Sequence, residues 1–182
     1  MLRRFSFPCA LAVLVAMLAT APGAMAARAC ESANATPAQV AKRTMVRATL
    51  CTINAQRERH GLRPLKLTKR LSKAARRHAR DMVRRSYFAH DTLGGGTFVD
   101  RIRRTGYLRH ARSWSVGENL AWGTQGSSAP RAITAMWMDS PGHRANILNA
   151  SFREVGIGLA IGAPASGSGP AATYATDFGT RR

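Results

Sequence analysis

The sequence predicts an α+β domain, with helices in the first two thirds of the chain and strands in the last third. Two observations indicate this class. Apolar residues recur at helical spacing over residues 46–82, and apolar runs of strand length cover 155–161 and 172–178. The 182 residues can build one hydrophobic core but not two well-packed ones, so we expect a single layered domain.

The first 26 residues are typical of an export signal. A basic start at residues 3–4 precedes an apolar stretch over 10–19, which is too short to span a bilayer. Small residues at 24–26 form a cleavage pattern, and we predict cleavage after Ala26. The protein is therefore expected outside the cell, either free or associated with the cell wall. An uncleaved membrane anchor is the alternative.

The two cysteines that remain after cleavage are expected to pair. Cys9 is removed with the leader, and a lone pair in an exported protein is most simply a disulfide between Cys30 and Cys51. This bond would tie an N-terminal tether, residues 27–35, to the domain over residues 36–182. It closes a loop of roughly 20 residues, which contributes about 3 kcal/mol. Two free thiols are the alternative, and the spacing carries no metal-site signal.

The first helix is predicted to begin at Thr36. Its side chain can act as the N-cap, Pro37 suits the first helical position, and Gln39 suits the capping box. Gly61 is expected to end this helix. The apolar residues at helical spacing between these points are Val46, Leu50 and Ile53.

A second helix is predicted after Thr68, which can cap it. Its apolar stripe is formed by Leu71, Ala75, His78 and Met82. Its other faces carry Lys69, Lys73, Arg76, Arg77, Arg80 and Arg84. We expect His78, which shares the stripe, to be a hydrogen-bonded core residue, and the basic side chains to form part of the surface.

Shorter elements follow. Residues 91–97 form a glycine-rich loop, but no lysine-serine or lysine-threonine pair follows it, so a nucleotide-binding role is disfavoured. Three short helices are predicted. The first covers residues 98–105 and is closed by Gly106. The second runs from a cap at residues 127–128 to Met138, and the third begins at residue 140. Residues 162–170, rich in Pro, Gly and Ser, separate the two predicted strands.

Three residues stand out as candidates for chemistry. His90 follows an aromatic residue just past the second helix, His143 lies in the first turn of a short helix, and Glu118 precedes an apolar run. Two imidazoles and a carboxylate suit a divalent metal such as zinc with an open fourth position. A buried carboxylate must be paired, hydrogen-bonded or metal-bound, so a structural network in which Glu118 orients a histidine is equally open.

Five segments, in this order, resemble the CAP superfamily in its bacterial secreted branch. This SCP-like group is related to cysteine-rich secretory proteins, antigen five and plant pathogenesis-related proteins. The segments are Phe-Ala-His at 88–90, Gly-Glu-Asn-Leu-Ala at 117–121, Ser-Pro-Gly-His-Arg-Ala-Asn-Ile-Leu at 140–148, Gly-Ile-Gly at 156–158, and Tyr-Ala-Thr-Asp-Phe-Gly at 174–179. The resemblance covers about residues 49–179 and implies a three-layer α-β-α sandwich.

The resemblance also implies a cavity lined by two histidines and two acidic residues. His90 and His143 resemble the two histidines, and Glu118 resembles the glutamate of the Gly-Glu-Asn segment. This chain departs from the eukaryotic pattern at the second glutamate, because Ser140 stands in its place and Asp139 is displaced by one residue. Whether either residue replaces the second carboxylate is left open by the sequence.

The remaining aromatic and polar residues are assigned structural roles. Trp114, Trp122 and Trp137 are expected in the core and the cavity walls, and His60 and His110 on the surface. Arg144 and Asn146 are expected to bond to neighbouring backbone. Ser140 lies three residues before His143 at a helix start, which suits capping better than nucleophilic catalysis.

The high positive net charge of the chain indicates which kinds of partner it can bind. The chain has 28 Lys and Arg residues against 9 Asp and Glu, for a formal net charge of +19. A small exported protein with this charge is suited to anionic cell-wall or membrane surfaces. A solvated basic surface without a partner is the alternative. No nucleic-acid-binding motif accompanies the charge, so we expect no specific nucleic acid partner.

Three functions follow, each for an expected monomer. The first is a binding module whose cavity holds a divalent metal, a lipid or another small ligand, because relatives of this kind bind lipids and share no single reaction. The second is a metal-assisted hydrolase of peptides, esters or wall substrates, with Glu118 as general base and His90 and His143 at the metal or acting directly. The third is a cationic protein that coats anionic cell-surface polymers.

Overall fold

The computed structural model describes residues 30–165 and 170–182, so the predicted leader and the first residues of the tether lie outside the described residues. The helices are α1 Lys42–Arg59, α2 Lys69–Arg84, α3 Phe98–Arg104, α4 Pro130–Asp139 and α5 Pro141–Ile147. The strands are β1 Lys66–Leu67, β2 Trp114–Thr124, β3 Glu154–Ile161 and β4 Ala171–Arg181. A short 3₁₀ helix, Gln125–Ser128, links β2 to α4.

The four strands form one sheet in the order β1-β3-β4-β2. The short β1 pairs parallel with β3, and the other two pairings are antiparallel. Side chains of α1, α4 and α5 share one core cluster with residues of β3 and β4, while α2 packs on other residues of the sheet. This arrangement confirms the α+β class and the three-layer α-β-α sandwich.

The layer between α2 and the sheet is thin. Its core is built mainly from small residues, among them Ala75 and Ala79 of α2 and Ala160 and Ala175 of the sheet. A Cβ atom on Gly158 of β3 would lie 2.2 Å from the backbone carbonyl carbon of Ala75. The glycine is therefore required by the close approach of the helix to the strand.

The prediction for the start of the first helix was wrong by five residues, because the first helical residue is Lys42 and not Pro37. The Thr36 amide does donate to Gln39 Oε1 over 2.7 Å, as the capping pattern predicts. This turn stops at Val40, however, and α1 begins at Lys42 after Ala41, whose backbone is extended. The hydrogen bonds between Thr36 and Gln39 therefore lie in an isolated turn, not at the start of a helix. The predicted end is confirmed, since α1 ends at Arg59, just before Gly61 with φ of 67°.

Other predicted helix limits are confirmed, but most predicted caps are not formed by side chains. Thr68 precedes α2 and Ser140 precedes α5, yet neither hydroxyl accepts a capping hydrogen bond. The predicted caps at 127–128 lie in the 3₁₀ helix, and Ala129 occupies the N-cap position of α4. Before α3, by contrast, Thr97 and Asp100 form a full capping box.

The disulfide between Cys30 and Cys51 is confirmed, with Cα atoms 5.4 Å apart. The described end of the predicted tether packs against the domain, because Cys30 and Ala33 are buried. The Ala33 carbonyl also accepts a hydrogen bond from the Arg131 amide over 2.9 Å. Among the described helices, none has the length and apolarity needed to cross a membrane.

Two of the three tryptophans match their predicted positions. Trp137 is buried in the core, where its indole N–H donates to the Leu120 carbonyl over 3.0 Å, and Trp122 is partly buried. The prediction for Trp114 was wrong. It begins β2, is 41% exposed, and lies under the Arg103 guanidinium, which is 5.6 Å from its ring centroid.

Candidate functional site

Strand β2 carries Glu118 into the interior of the domain. Its side chain is fully buried, and Asp177 of β4 is its partner in the sheet register. His90 lies in the segment between α2 and α3 and meets Glu118 from outside the sheet. The Nδ1 atom of His90 is 2.9 Å from Glu118 Oε1. The structure therefore joins two of the three residues predicted from the sequence.

Arg101 of α3 completes this cluster. One terminal nitrogen of its guanidinium donates to Glu118 Oε2 over 2.6 Å, and the other donates to the His90 carbonyl over 2.7 Å. Only 7% of the Arg101 side chain is exposed. Sequence reasoning missed Arg101 because nothing local separates it from the other basic residues of the chain.

The hydrogen bond to Glu118 fixes the role of the His90 ring. A carboxylate accepts, so Nδ1 carries the proton and Nε2 is left for other partners. About half of the side chain, 52%, is exposed. The hydrogen bond and charge of Glu118 raise the pKa of His90 above its usual value, although partial burial opposes this shift.

Glu118 is held as a carboxylate. Burial disfavours its charge, but the hydrogen bond from His90 and the charge and hydrogen bond of Arg101 outweigh this cost and lower the pKa of Glu118. Both carboxylate oxygens accept a hydrogen bond, one from each partner. The buried charge is therefore compensated within the cluster.

Asp177 has the opposite protonation. It is 1% exposed, and in the described part of the chain neither of its carboxyl oxygens has a hydrogen-bond partner. Burial and the nearby Glu118 charge raise the pKa of Asp177 well above its usual range. Burial beside the Glu118 carboxylate thus favours the neutral form of Asp177, while the partners of Glu118 favour its ionised form.

His143 is placed beside this cluster by contacts of α5 with β2. The Asn119 side-chain amide donates to the His143 carbonyl over 3.0 Å, and Asn146 donates to the Glu118 carbonyl over 3.2 Å. A Cβ atom on Gly117 would lie 2.6 Å from Asn146 Oδ1, so the glycine permits this approach. Partial burial and a charged His90 both lower the pKa of His143.

The chain matches the model of the cysteine-rich secretory protein family over residues 50–174. The chain belongs to the CAP family. The resemblance inferred from the five segments is thereby confirmed.

Two curated relatives of this CAP domain are proteins of Bacillus subtilis. The uncharacterized protein YkwD is 37% identical over 105 residues, which are 58% of this chain and 38% of YkwD. The uncharacterized membrane protein YlbC is 30% identical over 106 residues, or 58% of this chain and 29% of YlbC. The similar stretch is thus less than half of either relative.

Solved structures show the same fold. An extracellular SCP-domain protein of Bacillus anthracis superposes with a TM-score of 0.58 and 27% identity, covering 76% of this chain and 43% of that one. An outer surface protein of Borrelia burgdorferi gives a TM-score of 0.64 with 19% identity, covering 79% and 97%. A cysteine-rich secretory protein of Staphylococcus aureus gives 0.53 with 18% identity, covering 77% and 40%.

Asp139 is exposed at the end of α4, and Ser140 is the residue between α4 and α5. The second buried acid beside Glu118 is Asp177, which sequence reasoning did not single out. Across residues 30–165 and 170–182, no group of three or more His, Cys, Asp and Glu side chains could hold a metal ion.

His78 supports the cluster from α2. Its Nε2 donates to the Ala89 carbonyl over 2.9 Å, which fixes the backbone immediately before His90. Burial, followed by the Arg101 charge, lowers the pKa of His78, so the ring is neutral. The predicted core position is confirmed. Its Nδ1, however, is buried without a hydrogen-bond partner among the described residues.

The other predictions for polar residues are confirmed. His60 and His110 are exposed. Arg144 donates to the Met138 carbonyl, and Asn146 donates to the Glu118 carbonyl and to the Asn119 side chain. These bonds hold α5 to α4 and to β2.

Proposed function

We propose that this CAP domain is an exported binding module that engages its ligand through His90 Nε2 and His143. The observation that carries the proposal is the pair of hydrogen bonds on Glu118, which orient His90 and assign the proton to Nδ1. A half-exposed imidazole with its second nitrogen free is poised to bind rather than to fill the core.

We infer a divalent metal such as zinc as the ligand of these two imidazoles. Neutral imidazole nitrogen is a common zinc ligand, and burial lowers the pKa of His143 toward the neutral form. Glu118 already accepts two hydrogen bonds, so it would orient His90 and raise its basicity instead of binding the metal itself. Two protein ligands give weak binding and leave the other positions to water or to a second ligand.

The same geometry favours binding over hydrolysis. A general base must have a free lone pair and a pKa near the working pH. Glu118 does not suit this role, because its side chain is fully buried and its pKa is lowered. The proposed function therefore does not assign Glu118 a proton-transfer role.

Export is supported by the leader pattern and by one solved relative described as extracellular, at 27% identity. A second relative is described as a membrane protein, so fractionation of the cells that make the protein is the appropriate test. We expect the chain in the medium or wall fraction, starting at Ala27. Recovery in the membrane with residues 1–26 still attached would refute cleavage.

Zinc titration by calorimetry tests the binding site. We expect the wild-type protein to bind one zinc ion per chain, and His90→Ala and His143→Ala each to weaken binding at least tenfold. The matched controls are His60→Ala and His110→Ala, which remove exposed histidines away from the cluster. Absence of binding by the wild type, or equal loss in the controls, would reject the metal proposal.

A further inference from the structure

The outer face of α2 is a continuous basic surface that the His90 site does not use. Its members are Lys69, Arg70, Lys73, Arg76, Arg77, Arg80 and Arg84, all of them exposed. At 3.6 residues per turn these seven side chains occupy an arc of roughly 120°, along a helix about 24 Å long. Asp81 lies just outside the arc. We call these seven residues the α2 cationic face.

The charges of this face are almost uncompensated. Within the described residues, Arg84 is the only member with an ion pair, to Asp81 at 3.2 Å. Neighbours at i,i+3 and i,i+4 along the face carry the same charge, and such pairs repel on a helix surface. A bound polyanion would relieve this repulsion at several positions together.

The face extends into a groove of about 610 Å³ beside α2. Its lining includes Arg77, Arg80 and Arg84 of the face, together with Lys42 and Arg104 from other elements. Arg101 also lines the groove, but its charge is paired with Glu118. The acid in this lining is Asp81, whose oxygens accept hydrogen bonds from Arg84 and Tyr87. The lining of this groove does not include His90, Glu118 or His143.

The packing of α2 holds the α2 cationic face in a fixed position and restricts the kind of partner that it can bind. The apolar side of α2 is packed against the glycines of β3, so it is not available for insertion into a bilayer. Helix α2 contains no Phe, Tyr or Trp on which nucleic acid bases could stack. The face can therefore recognise a partner by charge, and the arginine guanidinium groups are suited to bidentate hydrogen bonds with phosphate groups.

We propose that the α2 cationic face binds a linear phosphate polymer of the cell surface. The polymer lies along the helix and contacts the side chains through its phosphates, without recognition of its other groups. This binding requires neither His90 nor His143.

Titration with long-chain inorganic polyphosphate at several salt concentrations tests the proposal. The full chain is compared with the triple variant Lys73→Gln, Arg76→Gln, Arg80→Gln. Glutamine is a good helix former, so α2 should persist, which circular dichroism will verify. The control removes the same charge from exposed positions on α1, with Arg43→Gln, Arg47→Gln and Arg59→Gln.

We expect the α2 triple variant to bind polyphosphate at least tenfold more weakly, with a log K against log salt slope that is shallower by about two. The α1 control and His90→Ala should bind within about twofold of wild type. Equal weakening in both triple variants would show that net charge alone acts, and would overturn the proposal. Binding to phosphatidylglycerol vesicles with no binding to polyphosphate would overturn it in favour of a membrane.

Discussion

Glu118 is stabilised as a buried anion by two cationic or hydrogen-bonding partners from different parts of the chain. Arg101 approaches from α3 and His90 from the segment before it. Neither the Arg101 nor the Glu118 side chain has more than 7% of its surface exposed. The pair is thus screened little by solvent, and each charge depends on the other for its compensation.

Glu118→Gln should destabilise the protein by about 3 kcal/mol, because it leaves the buried Arg101 guanidinium without its counter-charge. Urea unfolding followed by circular dichroism measures the loss. The matched control is Glu58→Gln on the exposed side of α1, which should leave the unfolding midpoint nearly unchanged. Equal midpoints for the two variants would show that the Arg101 pair contributes nothing.

Asp177 should make stability fall as the pH rises. Its folded-state pKa is raised, so the folded protein holds this proton more tightly than the unfolded chain, whose aspartate pKa is about 3.9. The resulting stability is fully present below that value and is lost as the pH rises toward the folded-state pKa. Asp177→Asn removes this dependence, so its unfolding free energy relative to wild type should increase from pH 4 to pH 7.

The comparison across pH, rather than stability at one pH, isolates this effect. An asparagine amide in the same buried position has its own unmet hydrogen bonds, which shift stability equally at every pH. Asp139→Asn, the same substitution at the exposed end of α4, serves as the control. A wild-type minus Asp177→Asn difference that stays flat with pH would mean that Asp177 ionises normally.

At the scale of elements, the sequence predicts what is encoded locally. Helix α2 and the end of α1 follow from apolar spacing and from Gly61, both of which act within a few residues. Strand β2 was not predicted. It is buried on both faces and so lacks alternation, and it contains Gly117 and Asn119, which are uncommon in strands. Its stability comes from pairing with β4, about 55 residues away along the chain.

In the candidate site too, the residues marked by local sequence could be predicted, and those placed by distant contacts could not. His90 and Glu118 could be found because each lies in a short recognisable segment. Arg101 could not be found, because its partner is chosen by where α3 lies against β2. Asp177 could not be assigned, because only the register of β4 against β2 places it opposite Glu118.

Gly158→Ala should separate α2 from the sheet. The new Cβ would lie 2.2 Å from the Ala75 carbonyl carbon and 2.4 Å from the Arg76 amide nitrogen, so backbone must move. We expect a loss of about 3 kcal/mol or more in urea unfolding. The control is Gly142→Ala in the first turn of α5, where a Cβ atom would point into open space and should leave stability nearly unchanged. Similar effects at both positions would refute the close contact.

At the scale of the whole molecule, nine acidic residues stand against 28 lysines and arginines. Of the nine acidic residues, five are engaged in the described structure by burial, capping or hydrogen bonds, namely Asp81, Asp100, Glu118, Glu154 and Asp177. Asp81, Asp100 and Glu154 pair with arginines at the surface, whereas Glu118 and Asp177 are buried. The excess of cations over acids gives the protein a positive field, which favours encounter with anionic surfaces.

The disulfide acts on the whole molecule without touching the site. Cys30 and Cys51 are 21 residues apart in sequence, so reducing the bond restores loop entropy to the unfolded chain and should cost about 3 kcal/mol. For a domain of this size the melting temperature changes by about 2–4 °C per kcal/mol, so Cys30→Ser with Cys51→Ser should lower it by roughly 6–12 °C. Zinc and polyphosphate titrations should be unchanged, since neither cysteine contacts His90 or α2. Under reducing conditions, the wild-type protein should have the same melting temperature as the double variant. If the double variant instead melted at the temperature of the oxidised wild type, the packing of Ala33 would be sufficient to hold the tether without the covalent bond.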